Sequence, residues 1–253
     1  MTTESAKLVD IADPPTWPAE VSDLVDELVD EVRATDGFHP EIPACDLPSL
    51  VGYNAEFEGR LRERLGEHGI AMYHGTRLLP HELEELRVTG LQPLSQGLRS
   101  RRVRGAHQHH SDLLTADDAE FLLANGPLRW QGSAVRLGLL FLVAPLAVVA
   151  DDGMSRLIST WGGESLYWHD ETADGLRCQE AIKRLTAVSI PSVVCVGPRA
   201  SDLSDLKDLW PQFVGVRSNL EHGNEWTTHS SVTHLNIVDV LQPGHLLWRF
   251  EWT

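Results

Sequence analysis

A histidine at the end of a short apolar run is the first feature of this sequence that could do chemistry. The run at residues 70–73 has the composition of a buried strand, and His74-Gly75-Thr76-Arg77 follows it directly. Such a strand would deliver the imidazole to its end, and the bare backbone of Gly75 would let a small molecule lie close. A helix pattern begins at Pro80 and is stopped by Gly90. The pattern predicts a small-molecule site at His74.

A basic segment at residues 95–110 is the second candidate. Guanidinium groups bind phosphate through a fork of N–H donors, so this segment could contact the phosphates of a nucleotide or of an acceptor. Its polarity favours a mobile, solvated loop. The spacing of its histidines lacks the partner set of a structural zinc site, and we expect no metal. The basic residues are Arg99, Arg101, Arg102 and Arg104, followed by His107, His109 and His110.

Two later stretches offer an aromatic ring and a carboxylate. Tyr167 and Trp168 follow the glycine pair at residues 162–163, and Glu225 opens a late strand pattern. An aromatic ring can stack on a base, and a carboxylate beside a sugar can stabilise a developing positive charge. The alternative is that these residues have no functional role. Tyr167 and Trp168 would then be core aromatic residues, and Glu225 would be an exposed, solvated carboxylate.

Taken in order, these stretches resemble the three motifs of the ADP-ribosyltransferase superfamily, in the branch of diphtheria toxin and the poly-ADP-ribose polymerases. The first motif is H-G-[ST] on a strand, followed by a helix that ends in G-L, as in residues 74–91. The second, G-x-G-I-Y-F-A-D, is similar to residues 163–170 with a slightly different glycine spacing. The third is a glutamate that opens a late strand. Its candidates are Glu221, Glu225 and Glu251, and Glu225 fits best. Gly175 and Cys178 stand where the family has a serine and a second stacking tyrosine.

The resemblance implies a mono-ADP-ribosyltransferase that uses NAD as its substrate and needs no metal. Glu225, His74 and Tyr167 would be catalytic, with Glu225 stabilising the oxocarbenium-like transition state. His74 would hold the adenosine-side ribose, and Gly75 would bond the carboxamide through its backbone. Tyr167 would stack on nicotinamide, and Trp161 or Trp168 would supply a further aromatic wall. The residues implied to bind NAD are His74, Gly75, Thr76, Arg77, Tyr167 and Trp168.

The same residues leave other functions open. Water could replace the acceptor, which would make the protein an NAD glycohydrolase. The basic run is the only support for transfer to a nucleic acid or to an RNA 2′-phosphate. The missing second tyrosine fits a degenerate module that binds NAD or a partner without catalysis. A transferase of this kind would act inside a cell as a bacterial toxin or a defence effector, and a protein acceptor is favoured over a nucleic acid.

The elements around these motifs predict an α+β fold. Helix patterns dominate the first half, at residues 19–34, 54–68 and 115–124, and strand patterns dominate the second half, at 137–149, 186–196, 236–240 and 245–252. The resemblance adds a split β-sheet core to residues 66–253, and leaves residues 1–65 as an N-terminal helical extension. The acidic helix at 19–34 is interpreted as packed on the domain, with docking of an antitoxin or regulator as the alternative.

Composition bounds the partners and the compartment. The 253 residues carry a net charge of −16, which disfavours non-specific binding to nucleic acid or to an anionic membrane. The three cysteines form no C-x-x-C pair, as expected in a reducing compartment. We find no secretory signal pattern, and the apolar run at 137–150 is shorter than a membrane span. These observations predict a cytoplasmic protein.

Overall fold

A computed structural model of the chain describes residues 8–34, 54–125, 137–150, 157–163, 166, 173–203, 209–217, 224–228, 231–233 and 236–248. The fold of these residues is mixed α+β, which confirms the predicted class. The α-helices are α1 (Ala19–Ala34), α2 (Asn54–Leu65), α3 (Pro80–Thr89), α4 (Gln96–His109), α5 (Ala116–Ala124), α6 (Ala173–Val188) and α7 (Leu209–Arg217). The strands are β1 (Leu8–Val9), β2 (Gly69–Ile70), β3 (Met72–Leu78), β4 (Leu140–Ala144), β5 (Ile190–Val196), β6 (Asn224–Thr228) and β7 (Ile237–Leu241).

The main sheet has five strands in the order β6-β4-β3-β5-β7, so β3 is its central strand. β3 and β4 run antiparallel, with Tyr73 opposite Val143. A separate two-stranded parallel sheet pairs β1 with β2, with Leu8 opposite Gly69. β3 is largely buried along its length, with His74 and Arg77 half-buried. The split sheet of the ADP-ribosyltransferases stays a prediction.

The chain divides into two compact units. The first unit comprises Met1–Tyr73, Phe141–Val148 and Val196–Thr227, so the N-terminal helices share it with later segments. The second unit comprises His74–Leu140, Val149–Cys195 and Thr228–Thr253. The predicted boundary between an extension at 1–65 and a domain at 66–253 stays a prediction.

In the first unit, α1, α2 and α7 pack on one another. The Glu58 carboxylate of α2 accepts hydrogen bonds from the backbone N–H groups of Leu209 and Trp210 at 2.8 and 3.2 Å, and so satisfies the otherwise open start of α7. The interpretation of 19–34 as a packed helix is confirmed, because its apolar stripe is buried. That stripe consists of Val21, Leu24, Val25, Leu28 and Val29.

In the second unit, α4, α5 and α6 contribute residues to one core cluster, which also contains Leu79 directly before α3. α3 begins at Pro80 and ends at Gly90, as predicted, and Gly90 adopts a positive φ of 76° that favours glycine. Leu91 then pairs with Val232 in an isolated antiparallel bridge. The core residues are Leu79, Val103, Ala106, Leu114, Ala119, Leu122, Trp161, Leu166, Cys178, Ala181, Ile182 and Leu185.

The largest correction concerns the basic segment. The loop predicted at 95–110 is wrong, because residues 96–109 form helix α4. The hydroxyl of Ser95 caps its start by accepting the Leu98 N–H at 3.0 Å. Arginine is a good helix former, and Val103 and Ala106 supply the buried face. Polarity alone therefore misassigned this segment.

The later predictions need smaller corrections. Residues 186–188 belong to α6, so the strand predicted from 186 begins at Ile190. The strand predicted over 137–149 ends at Ala144, and a 3-10 helix covers Leu146–Ala150. Of the strand predicted over 245–252, residues 245–248 are described and form turns. In the described parts of the chain, each helix falls short of the length and apolar character that a membrane span requires.

Candidate functional site

The side chains of β3 alternate between two sides, and one side opens into a pocket. His74 is half-buried and Thr76 is buried, and both line this pocket in the second unit. β3, α3 and α4 form its walls, and it encloses about 580 Å³ including its open mouth. The cavity itself has a volume of about 100 Å³, which is smaller than most small-molecule sites. The lining residues are His74, Thr76, Leu78, Glu82, Glu85, Leu86, Thr89, Gly90, Leu91, Gln92, Leu98, Arg101 and Arg102.

Arg77 anchors β3 and is not among the residues that line the pocket. Its Nε donates to the carbonyl oxygen of Thr186 at 3.1 Å and to the hydroxyl of Ser189 at 3.0 Å. Its Nη1 donates to the carbonyl oxygen of Ile158 at 3.3 Å. Burial lowers the pKa of this guanidinium, although an arginine stays charged. The role of Arg77 in binding NAD stays a prediction.

A buried ion pair forms the floor of the pocket. Oε1 of Glu82 lies 2.7 Å from Nε of Arg102, and only 5% of the Glu82 side chain is exposed. Oε2 of Glu82 also accepts the backbone N–H of Leu79 at 2.8 Å and the indole N–H of Trp161 at 2.9 Å. Arg102 in turn donates to the carbonyl oxygen of Arg77 at 2.9 Å. The floor pair therefore ties α3 and α4 to the end of β3.

The protonation state of Glu82 follows from these contacts. Burial would raise the pKa of this carboxyl, but the charge of Arg102 and the hydrogen bonds from Arg102, Leu79 and Trp161 outweigh it. The net effect lowers the pKa of Glu82 below its ordinary value of 4.5, so it is a carboxylate at neutral pH. Trp161 is fully buried beside it, and its ring is not among the residues that line the pocket.

A second glutamate–arginine pair lies at the rim of the pocket. Nε of Arg101 is 3.7 Å from Oε1 of Glu85, with 55% and 45% of the two side chains exposed. The other two arginines of the predicted basic run face elsewhere. Arg99 is buried and donates to the carbonyl oxygens of Leu122 and Leu123, while Arg104 is exposed and is not among the lining residues.

Three histidines meet beside the floor of the pocket. The rings of His81 and His109 stack with their centres 4.3 Å apart, and His110 lies 6.0 Å from His81. Both ring nitrogens of His81 are buried without a hydrogen-bond partner among the described residues. Across the described ranges, no group of three or more His, Cys, Asp or Glu is placed to hold a metal ion.

The structure brings together only part of the predicted site. His74 and Thr76 share one pocket, and Gly75 is buried between them in β3. Tyr167 and Trp168 lie outside the described residues. Glu225 lies in β6, where the backbone is described but the side chains are not. The catalytic roles of His74, Tyr167 and Glu225 therefore stay predictions.

Sequence reasoning missed the acidic half of the pocket, although one signal was present. Glu82 is the third residue of a helix that begins at Pro80, which is the position where a glutamate reaches back to the N–H before the helix. No comparable signal marked Glu85 or its pairing with Arg101, because that contact depends on how two helices pack.

No family model, no curated protein and no solved structure matches the chain. The resemblance to the ADP-ribosyltransferases therefore stays a prediction that rests on the sequence motifs alone.

Proposed function

We propose that the chain is an NAD-dependent mono-ADP-ribosyltransferase, which cleaves the bond between nicotinamide and ribose and transfers ADP-ribose to a macromolecular acceptor. One observation carries the proposal: His74 and Thr76 of the first motif line the same open pocket as Arg101 of the basic run. An imidazole, a hydroxyl and a guanidinium suit a ligand that presents ribose hydroxyls and phosphates.

Each catalytic residue has a distinct task in this proposal. Nicotinamide leaves the anomeric carbon through an oxocarbenium-like transition state, as in glycoside cleavage. Glu225 stabilises the positive charge that develops on the sugar, and Tyr167 packs on the nicotinamide ring. His74 holds the adenosine-side ribose by hydrogen bonding. None of these tasks needs His74 to change its protonation state.

The proposed setting is the cytoplasm, where the protein would act on another protein as a toxin or a defence effector. The net charge of −16 favours a protein acceptor, because nucleic acid would be repelled by most of this surface. The exposed guanidinium of Arg101, at the mouth of the pocket, does not offset that charge over a long backbone contact.

The decisive variant is Glu225→Gln, which keeps the size of the side chain and removes its charge. The full positive charge exists only as nicotinamide departs, so NAD affinity should change little. The rate of nicotinamide release should fall by roughly 10²–10³, the scale for losing one preorganised electrostatic group. Chromatography measures nicotinamide release, and calorimetry measures NAD binding.

Glu221→Gln is the matched control, and its effect on the rate should be much smaller. Release of nicotinamide by Glu225→Gln at the rate of the unmodified protein would overturn the assignment of Glu225. Incubation with labelled NAD and a cell lysate then separates the activities by their product. Label on protein supports the transferase, label on nucleic acid supports the alternative acceptor, and free ADP-ribose alone identifies a glycohydrolase.

A further inference from the structure

The two arginines that line the pocket have different environments. Arg102 is held by Glu82 and by the carbonyl oxygen of Arg77, with 15% of its side chain exposed. Arg101 has 55% of its side chain exposed, and its ion pair with Glu85 spans 3.7 Å. A long, exposed pair of this kind contributes little to stability. Arg101 can therefore leave Glu85 for a ligand at small cost, whereas Arg102 cannot leave Glu82.

The charge of the pocket gives Arg101 a specific role. Two carboxylates, Glu82 and Glu85, and two guanidinium groups, Arg101 and Arg102, line the pocket and cancel in formal charge. The carboxylate of Glu85 would repel a phosphate that enters the mouth. Arg101 is the group that offsets this repulsion at the rim, and its planar fork matches phosphate oxygens. Without Arg101 the pocket would carry a net negative charge and would disfavour any phosphate-bearing ligand.

We propose that Arg101 binds a phosphate of the adenosine-diphosphate part of NAD, and that Glu85 competes with that phosphate for Arg101. The inference rests on the proposed function, because it takes NAD as the ligand. The resemblance already implies that His74 holds the adenosine-side ribose, so the phosphate would lie at the rim of the same pocket, beside α4. Arg101 is a binding residue here and takes no part in bond cleavage.

The test uses calorimetric titration of the full chain with ADP-ribose and with adenosine, which lacks phosphate. Arg101→Ala should weaken ADP-ribose binding by about 10- to 100-fold, the scale for losing a hydrogen bond to a charged group. Adenosine affinity should be the same with and without this substitution. The ADP-ribose affinity of Arg101→Lys should lie between those of the unmodified protein and Arg101→Ala, because lysine keeps the charge and loses the planar fork. Arg104→Ala is the matched control, since this exposed arginine is on the same helix but does not line the pocket.

Glu85→Gln tests the competition and should act in the opposite direction. Removing the competing carboxylate should tighten ADP-ribose binding several-fold at low salt, and the gain should shrink as salt screens the charges. Unchanged or weaker binding would overturn the role of Glu85. Equal loss of ADP-ribose affinity in Arg101→Ala and Arg104→Ala would overturn the role of Arg101 and indicate a general charge effect.

The outcomes separate this inference from the proposed function. If ADP-ribose binding depends on Arg101 but nicotinamide release from NAD is absent, the phosphate site stands and the transferase proposal fails. If NAD is cleaved and Arg101→Ala retains the KM of the unmodified protein, the transferase stands and the phosphate site is overturned. Failure of the unmodified chain to bind ADP-ribose also overturns the site. Thermal unfolding of each variant verifies that its substitution leaves the fold intact.

Discussion

The floor and the rim of the pocket contain the same pair of residue types in very different surroundings. On the floor, Glu82 of α3 and Arg102 of α4 lie 2.7 Å apart with 5% and 15% of their side chains exposed. At the rim, Glu85 of α3 and Arg101 of α4 lie 3.7 Å apart with 45% and 55% exposed. Burial separates a pair that holds the structure together from a pair that a ligand can rearrange.

The floor pair is stable only because its hydrogen bonds are complete. Removing two charges from water costs several kcal/mol for each ion, and attraction alone recovers this only with good geometry and satisfied neighbours. Glu82 meets that condition through Leu79 and Trp161, and Arg102 meets it through the carbonyl oxygen of Arg77. Loss of either partner would leave an uncompensated buried charge. The rim pair carries no such penalty, because water can replace each partner.

The largest effect on stability is expected from breaking the floor pair. Glu82→Ala leaves the guanidinium of Arg102 buried without its carboxylate, and we expect a loss of about 3–5 kcal/mol in the free energy of unfolding. The matched substitution at the rim, Glu85→Ala, should cost only about 0–1 kcal/mol. Urea unfolding followed by circular dichroism gives both values. Equal losses in the two variants would show that burial does not distinguish the pairs.

The sequence predicted the region of β3 and the limits of α3 better than it predicted helix α4. Pro80 and Gly90 are local signals, so the limits of α3 were predicted correctly. The apolar run at 70–73 predicted a strand that ends at His74, but β3 begins at Met72 and continues through His74 to Leu78, so the histidine lies within the strand. Helix α4 was missed because two of its arginines face inward. Arg99 binds carbonyl oxygens of Leu122 and Leu123, and Arg102 binds Glu82. These partners are more than 15 residues away in the chain, and sequence spacing alone does not reveal them.

Helix α6 was missed for a different reason. Its buried residues Cys178, Ala181, Ile182 and Leu185 recur at helical spacing, so the signal was present in the sequence. The apolar content around residues 186–188 favours a strand, and the resemblance places residues 175 and 178 in a nicotinamide pocket, so neither points to a helix. For the site itself, His74 and Thr76 were predicted and share the pocket, but the opposite wall of Glu85 and Arg101 required the packing of α3 on α4.

An intermediate effect on stability is expected from protonation of Glu82 in the floor pair. Because the pKa of Glu82 is lower in the folded chain than its ordinary value of 4.5, the unfolded chain takes up this proton first as the pH falls. The stabilisation is therefore complete above about pH 4.5 and is lost as the pH falls through the folded pKa. Unfolding free energies measured between pH 7 and pH 3 should fall more steeply in the unmodified protein than in Glu82→Gln. Parallel curves would indicate that Glu82 does not contribute to acid sensitivity.

The smallest expected effect concerns His81, which precedes Glu82 in α3. Burial lowers the pKa of its imidazole, with a further lowering by His109 and His110 that the carboxylates of Glu82 and Glu85 partly oppose. The unfolded chain binds the proton near pH 6.5 and the folded chain binds it only at lower pH, so stability is complete above pH 6.5 and declines below it. His81→Gln cannot titrate and should lose less stability between pH 7.5 and pH 5.5 than the unmodified protein. His109→Gln is the control for the second ring of the stack. An unchanged slope in His81→Gln would show that His81 does not cause the acid response in this pH range.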